Sequence, residues 1–174
     1  MSARKHEIVL LVMDIDGTLT DGAIFYGSDG AEYKVFSAKD GLILKVLPLL
    51  GLQALFLTGR SSDAVRERAA ELDCGLLDNV QNKSEILRAY LCDNHIDLES
   101  VAYIGDDLND YAAMRLCGFK ACPADAVAAI RELCDYVSPY DGGHGAVRDI
   151  CEHILKQNEK YDAFLNLFGM EGIR

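Results

Sequence analysis

The chain has 174 residues, half of them hydrophobic, and carries 17 Lys and Arg against 28 Asp and Glu, for a formal net charge of −11. That length is expected to make one domain, residues 1–174, with a full core, and the acidic balance excludes the basic surface on which nucleic-acid binding relies. No apolar run is long enough to span a bilayer, and no signal peptide is legible ahead of the first strand.

The first predicted strand covers about residues 7–14 and ends on Asp14-Ile15-Asp16-Gly17-Thr18-Leu19-Thr20. Two β-rich runs, Ala23–Tyr26 and Ala31–Phe36, flank Gly27-Ser28-Asp29-Gly30 and predict a hairpin. Asp40 is placed to cap a helix running to about Leu50, ended by Pro48 and Gly51. Gln53–Leu57 is a second buried strand, ending at Thr58-Gly59-Arg60, and residues 61–73 an amphipathic helix. A short strand Gly75–Leu77, a helix from Lys83 to about Asp93, and a strand Val101–Ile104 ending in Gly105-Asp106-Asp107 follow. Next come a helix over 108–117, a strand Phe119–Cys122 and a helix over 125–134. The loop Asp141-Gly142-Gly143-His144-Gly145 precedes a helix over about 146–157, and a tail of about 158–174 is polar, then apolar. Alternating strands and helices predict an α/β, Rossmann-like three-layer fold with a mainly parallel sheet and right-handed crossovers. The core is expected over about 7–157, with the tail either docked on a partner subunit or frayed.

Six cysteines, at 74, 92, 117, 122, 134 and 151, form no Cys-x-x-Cys pair and lie mostly among apolar residues. They are read as reduced small hydrophobes, which points to the cytoplasm. His6, His95 and His153 are read as surface or structural, and His144 sits in the glycine loop.

Asp14/Asp16, Thr58-Gly59-Arg60 and Asp106/Asp107/Asp110 each follow a predicted strand, and Lys83 opens a helix. In a parallel sheet such strand ends share one edge, where open α/β proteins bind ligands. A core has no use for five carboxylates there. Crowded carboxylates need a cation or a shared proton, and an all-oxygen site suits Mg²⁺. A lysine, a hydroxyl and helix-start N–H groups suit a phosphate. One carboxylate can attack it to form an aspartyl-phosphate. A second, two residues on, can protonate the leaving alkoxide and then activate water.

These motifs resemble, in order and placement, the four motifs of the haloacid dehalogenase superfamily of phosphatases, over residues 7 to about 150. The resemblance implies Asp14 as nucleophile, Asp16 as general acid/base, and Thr58 and Lys83 on the phosphoryl group. It also implies Mg²⁺ held by Asp14, the Asp16 backbone carbonyl and Asp106, with Asp107 and Asp110 supporting the metal and Lys83. Aspartate at 16 favours a phosphatase, since P-type ATPases carry Thr there and dehalogenases lack the acid. The intervals 16–58 and 58–83 are too short for a cap domain.

A narrower resemblance is carried by Asp21-Gly22, the hairpin, Lys39-Asp40-Gly41, Thr58-Gly59-Arg60, Arg68, Gly105-Asp106-Asp107 and Gly142-Gly143-His144-Gly145-Ala146-Val147-Arg148. The chain looks like the 3-deoxy-D-manno-octulosonate 8-phosphate phosphatases, capless tetramers in which hairpins associate and a neighbour's C-terminal region covers the site. Their substrate is a phosphorylated eight-carbon keto-acid sugar of the lipopolysaccharide pathway. By that likeness Ser37, Lys39, Asp40, Gly41, Lys45, Gly59, Arg60, Arg68 and Asn109 contact substrate. The family usually has Val at 18, Asn at 37, Arg at 39 and 45, and Arg or Lys at 144, so Thr18, Ser37, Lys39, Lys45 and His144 depart from it. Lysine keeps the charge of arginine but not its bidentate fork. A sister group acting on nine-carbon keto-deoxy sugar 9-phosphates has Glu where Arg60 stands, so Arg60 tips the reading to the eight-carbon acid. The competing readings are that nine-carbon activity, a non-catalytic tetramerisation module related to domains fused to nucleotidyltransferases, and a signalling receiver domain. A receiver carries its adjacent acidic pair after strand one, where this chain has Asp-x-Asp.

Overall fold

A computed structural model of the chain describes residues 6–170. Residues 171–174 of the predicted tail, and 1–5, lie outside the described residues.

Among the described residues, eight strands and seven α-helices follow one another: β1 Leu10–Met13, β2 Phe25–Tyr26, β3 Glu32–Tyr33, α1 Ala38–Val46, β4 Gln53–Leu57, α2 Asp63–Leu72, β5 Gly75–Leu77, α3 Lys83–Asp93, β6 Val101–Ile104, α4 Tyr111–Met114, β7 Phe119–Cys122, α5 Ala128–Leu133, β8 Tyr136–Val137, α6 Ala146–Gln157 and α7 Tyr161–Asn166. Six strands form one sheet in the order β5-β4-β1-β6-β7-β8, every pair parallel, and β2-β3 form a separate antiparallel hairpin. On β1, Leu11 and Met13 face a core layer built with α1, α2, α6 and α7, while Leu10 and Val12 face a second layer built with α3, α4 and α5. A strand buried on both faces reads as a continuous apolar run, and that is why Ile8–Met13 signals a central strand. Only the hairpin, α1 and a 3-10 turn separate β1 from β4, and only α2 and β5 separate β4 from α3. No cap domain is inserted at either place.

Several boundaries differ from expectation. Ser37, not Asp40, caps α1: it is extended, and its Oγ accepts from the Asp40 N–H at 3.3 Å. Asp40 instead lies within the first turn, its carboxylate turned to α6. The α-helix ends at Val46 and a 3-10 turn, Leu47–Leu50, carries Pro48 to Gly51, which has φ 75°. The helix predicted over 108–117 is a single turn, because the Asp110 N–H bonds the Asp107 carbonyl and the chain tightens again at Leu116 and Cys117. The helix predicted over 125–134 begins only at Ala128, because the Val127 N–H is drawn to the Asp106 carbonyl at 2.9 Å. The hairpin strands are two residues each, shorter than expected, and β8, also two residues, escaped the sequence reading. The tail forms α7, whose Phe164 is buried in the chain's own core, while Leu167, Phe168 and Met170 are exposed.

Candidate active site

The three central strands β4, β1 and β6 run parallel and in step, Met13 lying beside Phe56 and Ile104. Their next residues therefore leave the sheet at one edge: Asp14 from β1, Thr58 from β4, Gly105-Asp106 from β6. Asp14 is anchored by its N–H to the Ile104 carbonyl at 3.0 Å and is only 4% exposed. Lys83, the first residue of α3 and also buried, is delivered by a helix start whose cap is the Asn82 side chain. Its Nζ lies 2.8 Å from Asp14 Oδ1 and 2.7 Å from Asp110 Oδ1. Asp110, wholly buried, also accepts from the Tyr103 hydroxyl at 2.8 Å and from the Asp106 N–H at 3.3 Å. Asp110 thus fixes the lysine, and the lysine fixes Asp14.

Burial pushes the Asp14 carboxyl up to about 7, and the Asp110 charge adds to it, against the pull of Lys83. Burial likewise lifts Asp106 to about 7, with Asp110 and Asp107 reinforcing it and the Thr18 hydrogen bond opposing it. Burial opposes the Lys83 ammonium, but Asp14 and Asp110 outweigh it and hold its pKa above the ordinary value.

Asp14, Asp106 and Asp110 each bring a carboxylate oxygen to within 4.8 Å of the others. One ammonium among three carboxylates leaves two negative charges, which a hard divalent cation balances. Asp110 is already committed to Lys83 and Tyr103, so the carboxylates free to bind an ion are those of Asp14 and Asp106. Gly17 is required here: a Cβ on it would lie 2.0 Å from Asp106 Oδ2, and its φ is 91°. Thr18 Oγ1 donates to Asp106 Oδ1 at 2.9 Å, so the residue that departs from the family pattern orients a candidate ligand.

Asp16 faces the hairpin. Lys34 Nζ bonds its Oδ1, and Arg60 Nε stands 3.8 Å from its Oδ2. Lys34 also pairs with Glu32 Oε1 at 2.9 Å, and Arg60 Nη2 with Glu32 Oε2 and, at 2.9 Å, the Tyr26 hydroxyl. Thr58 is buried, and its Oγ1 accepts from the Arg60 N–H at 3.2 Å. Asp14, Asp16, Thr58, Gly59, Arg60, Lys83, Asp106 and Asp110 are therefore brought to one edge, with Asp107 and Asn109 exposed on the loop beside them.

The other predicted contacts spread out from there. Arg68 Nη2 donates to the Ser37 carbonyl at 3.2 Å and fills the space a Cβ on Gly41 would need, at 2.1 Å. Asp40 Oδ1 accepts from the Arg148 N–H at 2.7 Å at the start of α6, while its buried Oδ2 has no hydrogen-bond partner among the described residues. Lys39 is exposed and lines a cavity with Tyr140, His144, Gly145 and Arg148. Lys45 donates to the Glu71 carbonyl at 2.8 Å on the exposed side of α1 and α2. The glycine loop lies against the first motif: a Cβ on Gly142 would be 1.9 Å from the Gly17 carbonyl oxygen. His144 Nδ1 donates to the Gly142 carbonyl at 2.8 Å.

Sequence reasoning missed Glu32, Lys34, Tyr26 and Tyr103. The first two carry a legible signal, charged residues alternating with the exposed Tyr33 and Val35 along a strand. Tyr103 shows none within its apolar run.

Residues 74–150 match the family model of haloacid dehalogenase-like hydrolases. The chain is 36% identical to the 3-deoxy-D-manno-octulosonate 8-phosphate phosphatase KdsC of Escherichia coli K12 over 163 residues, covering 92% of this chain and 86% of that protein. It superposes on the 3-deoxy-D-manno-octulosonate 8-phosphate phosphatase of Moraxella catarrhalis, in complex with magnesium ion, phosphate ion and a KDO molecule, with a TM-score of 0.90 and 40% identity, covering 94% of this chain and 95% of that one. It also superposes on the cobalt-bound deoxy-D-mannose-octulosonate 8-phosphate phosphatase of Haemophilus influenzae, with a TM-score of 0.88 and 32% identity, covering 94% and 96%.

Proposed function

Because the chain belongs to the haloacid dehalogenase-like hydrolases, and within them to the 3-deoxy-D-manno-octulosonate 8-phosphate phosphatase family, we propose that it is a Mg²⁺-dependent phosphatase releasing the free eight-carbon sugar acid and phosphate. The observation that carries the reading is the buried Asp14–Lys83–Asp110 chain, with Asp16 two residues beyond the nucleophile. A lysine held between two carboxylates at the mouth of a sheet, with an uncompensated charge for a divalent cation, is built for a phosphate ester.

The Asp14 and Asp106 carboxylates, with the Asp16 backbone carbonyl, would hold Mg²⁺, which would supply the positive charge a carboxylate needs to meet a phosphate dianion. Lys83 and Thr58 hold the phosphoryl oxygens. Asp14 attacks phosphorus, the bond to the sugar oxygen breaks, and Asp16 gives that oxygen a proton. Asp16 then takes a proton from water as the water oxygen bonds phosphorus and the Asp14–phosphorus bond breaks. Asp107 and Asp110 support the metal and Lys83.

Ser37, Lys39, Asp40, Gly41, Lys45, Gly59, Arg60, Arg68 and Asn109 form the sugar side of this reading. Lys39, exposed beside Arg148, brings positive charge to an acidic chain, which suits an anionic sugar, while Arg60 and Arg68, held by Glu32 and Glu71, bring hydrogen-bond donors. Without a cap the site is open, and a homotetramer closes it. The exposed Ile24, Phe25, Tyr26, Tyr33 and Val35 of the hairpin give that assembly an apolar surface. We read the chain as one phosphatase domain working in the cytoplasm, within lipopolysaccharide synthesis. Among the described residues no helix is long and apolar enough to cross a membrane.

Phosphate release across a panel of eight-carbon and nine-carbon keto-acid phosphates and hexose phosphates tests the reading. The eight-carbon 8-phosphate is expected to have the highest kcat/KM, and a chelator is expected to stop turnover. A preference for the nine-carbon 9-phosphate, or activity indifferent to chelation, would reverse the substrate or the metal assignment.

Arg60→Glu is expected to cost the eight-carbon substrate about 10- to 100-fold in kcat/KM, the worth of a charge-assisted hydrogen bond, and p-nitrophenyl phosphate much less. Equal losses would deny Arg60 a part in recognition.

Cation binding has a pH signature. Between the usual carboxylate range and about 7, the unfolded chain loses the protons of Asp14 and Asp106 while the folded chain keeps them, so the metal-free fold weakens as pH rises. Mg²⁺ binds the ionised pair and removes that penalty. The gain in Tm on replacing EDTA with Mg²⁺ is therefore expected to grow from about pH 5 to about pH 8. A gain that is flat or falls with pH would contradict the assignment of these ligands.

A further inference from the structure

We infer that Lys34 is a positioning residue for the proton-transfer step: held by Glu32, it pins Asp16 Oδ1 and so presents Oδ2 to the leaving oxygen of the substrate. The inference rests on the phosphatase reading above and names hairpin residues that the motifs do not include.

Lys34 follows the hairpin strand β3, yet its side chain is only 1% exposed. Glu32 and Lys34 are two residues apart and point inward, while Tyr33 and Val35 between and beyond them are exposed. A lysine is rarely buried unless paired, and this one is paired twice, with Asp16 and with Glu32. Glu32 in turn holds Arg60 through its other oxygen. Two carboxylates and two cations thus form a closed, charge-balanced group joining the hairpin to the loops after β1 and β4.

The two oxygens of Asp16 are left unequal. Oδ1 accepts a hydrogen bond from Lys34. Oδ2 has only Arg60 Nε near it, at 3.8 Å, and that buried N–H has no hydrogen-bond partner among the described residues. A substrate oxygen entering between them meets the Arg60 donor on one side and Asp16 Oδ2 on the other. An Asp16 that carries its proton on Oδ2 keeps its bond from Lys34 through Oδ1, so the same contact serves both halves of the reaction. In the first half Oδ2–H yields its proton to the alkoxide as the phosphorus–oxygen bond breaks. In the second half Oδ2 takes a proton from the attacking water. A free aspartate on a loop after a strand would rotate away from either task.

The test compares two leaving groups in single turnovers with Mg²⁺. Release of the sugar alkoxide needs the proton from Asp16, whereas the first burst of p-nitrophenolate does not, because that phenolate leaves unprotonated. Lys34→Met is expected to slow sugar release by about 10²-fold, the scale of a small misplacement at a reacting centre, while the p-nitrophenolate burst changes several-fold at most. Lys34→Arg, which keeps a donor, is expected to recover most of the sugar-release rate. Glu32→Gln, which loosens Lys34 without touching Asp16, is expected to show the same split at smaller size and provides the test should Lys34→Met not fold by thermal unfolding. An equal slowing of both leaving groups, or none of either, would overturn the inference. Wild-type protein that released neither product would instead overturn the phosphatase reading.

Discussion

Asp14→Asn is expected to lower turnover by at least about 10⁴-fold, the scale of losing a nucleophile, without unfolding the protein. The amide of Asn cannot form the acyl-phosphate bond that the carboxylate forms. The substitution is also gentle on the fold. Burial holds the Asp14 carboxyl up at about 7, so the folded chain resists its charge rather than depending on it. In EDTA above pH 7 the variant is therefore expected to melt at the same temperature as the wild type or higher, since the neutral Asn escapes the cost of a buried anion. Its Tm gain on adding Mg²⁺ is expected to shrink, because one of the two free carboxylates is gone. Retained turnover with an unchanged Mg²⁺ response would remove Asp14 both as nucleophile and as ligand.

Lys83→Met is expected to fail differently, in stability and in activity together. It leaves Asp14 and Asp110, 4% and 0% exposed, facing each other without the ammonium that lies within 2.8 Å of both. Breaking a buried ion pair from one side costs about 3–5 kcal/mol, and here protonation of Asp14 offsets a part, so the low end applies. Activity is expected to fall by about 10²–10³-fold in kcat, the loss typical of removing one fixed charge that meets a transition state. Chemical denaturation in EDTA reads the first effect and steady-state kinetics at saturating Mg²⁺ the second. Loss of stability with full activity would make Lys83 a structural residue only.

The contrast between the two variants explains what was legible in the amino-acid order. Strand ends announce themselves, because a buried apolar run that stops at Asp14, Thr58 or Asp106 marks where the sheet edge must be. β4, β5, β6 and β7 lie where their runs predict. The parallel arrangement then brings the motifs together without further information. Helix ends were less legible, since long-range bonds decide them. α5 starts late because the Val127 N–H answers the Asp106 carbonyl, and α4 is cut to one turn by the same loop. Asp40 looked like a cap from its place in sequence, but its carboxylate serves α6 more than 100 residues away. The supporting shell was hidden for a related reason. Tyr103 reads as one more core residue until its hydroxyl is seen to meet Asp110, and Lys34 reads as a strand-end lysine until the hairpin folds it onto Asp16.

That hairpin changes the chemistry assigned to the first motif. Asp14 is served from within the sheet, by Lys83 and through it Asp110. Asp16 is served from outside it, by Lys34 and Arg60, with Glu32 joining the two. Asp14 is thus held by the centre of the sheet, and Asp16 by a hairpin whose Phe25, Tyr26, Tyr33 and Val35 are exposed.

The most direct test of the account is to trap the covalent intermediate. The protein is mixed with Mg²⁺ and the eight-carbon 8-phosphate, quenched within a turnover, and reduced with borohydride, which converts an acyl phosphate to the alcohol. Peptide mass spectrometry is expected to find homoserine in place of aspartate at position 14, and at no other carboxylate, only when both substrate and Mg²⁺ are present. Phosphate released at the full rate with Asp14 unmodified, or reduction at another carboxylate, would contradict it.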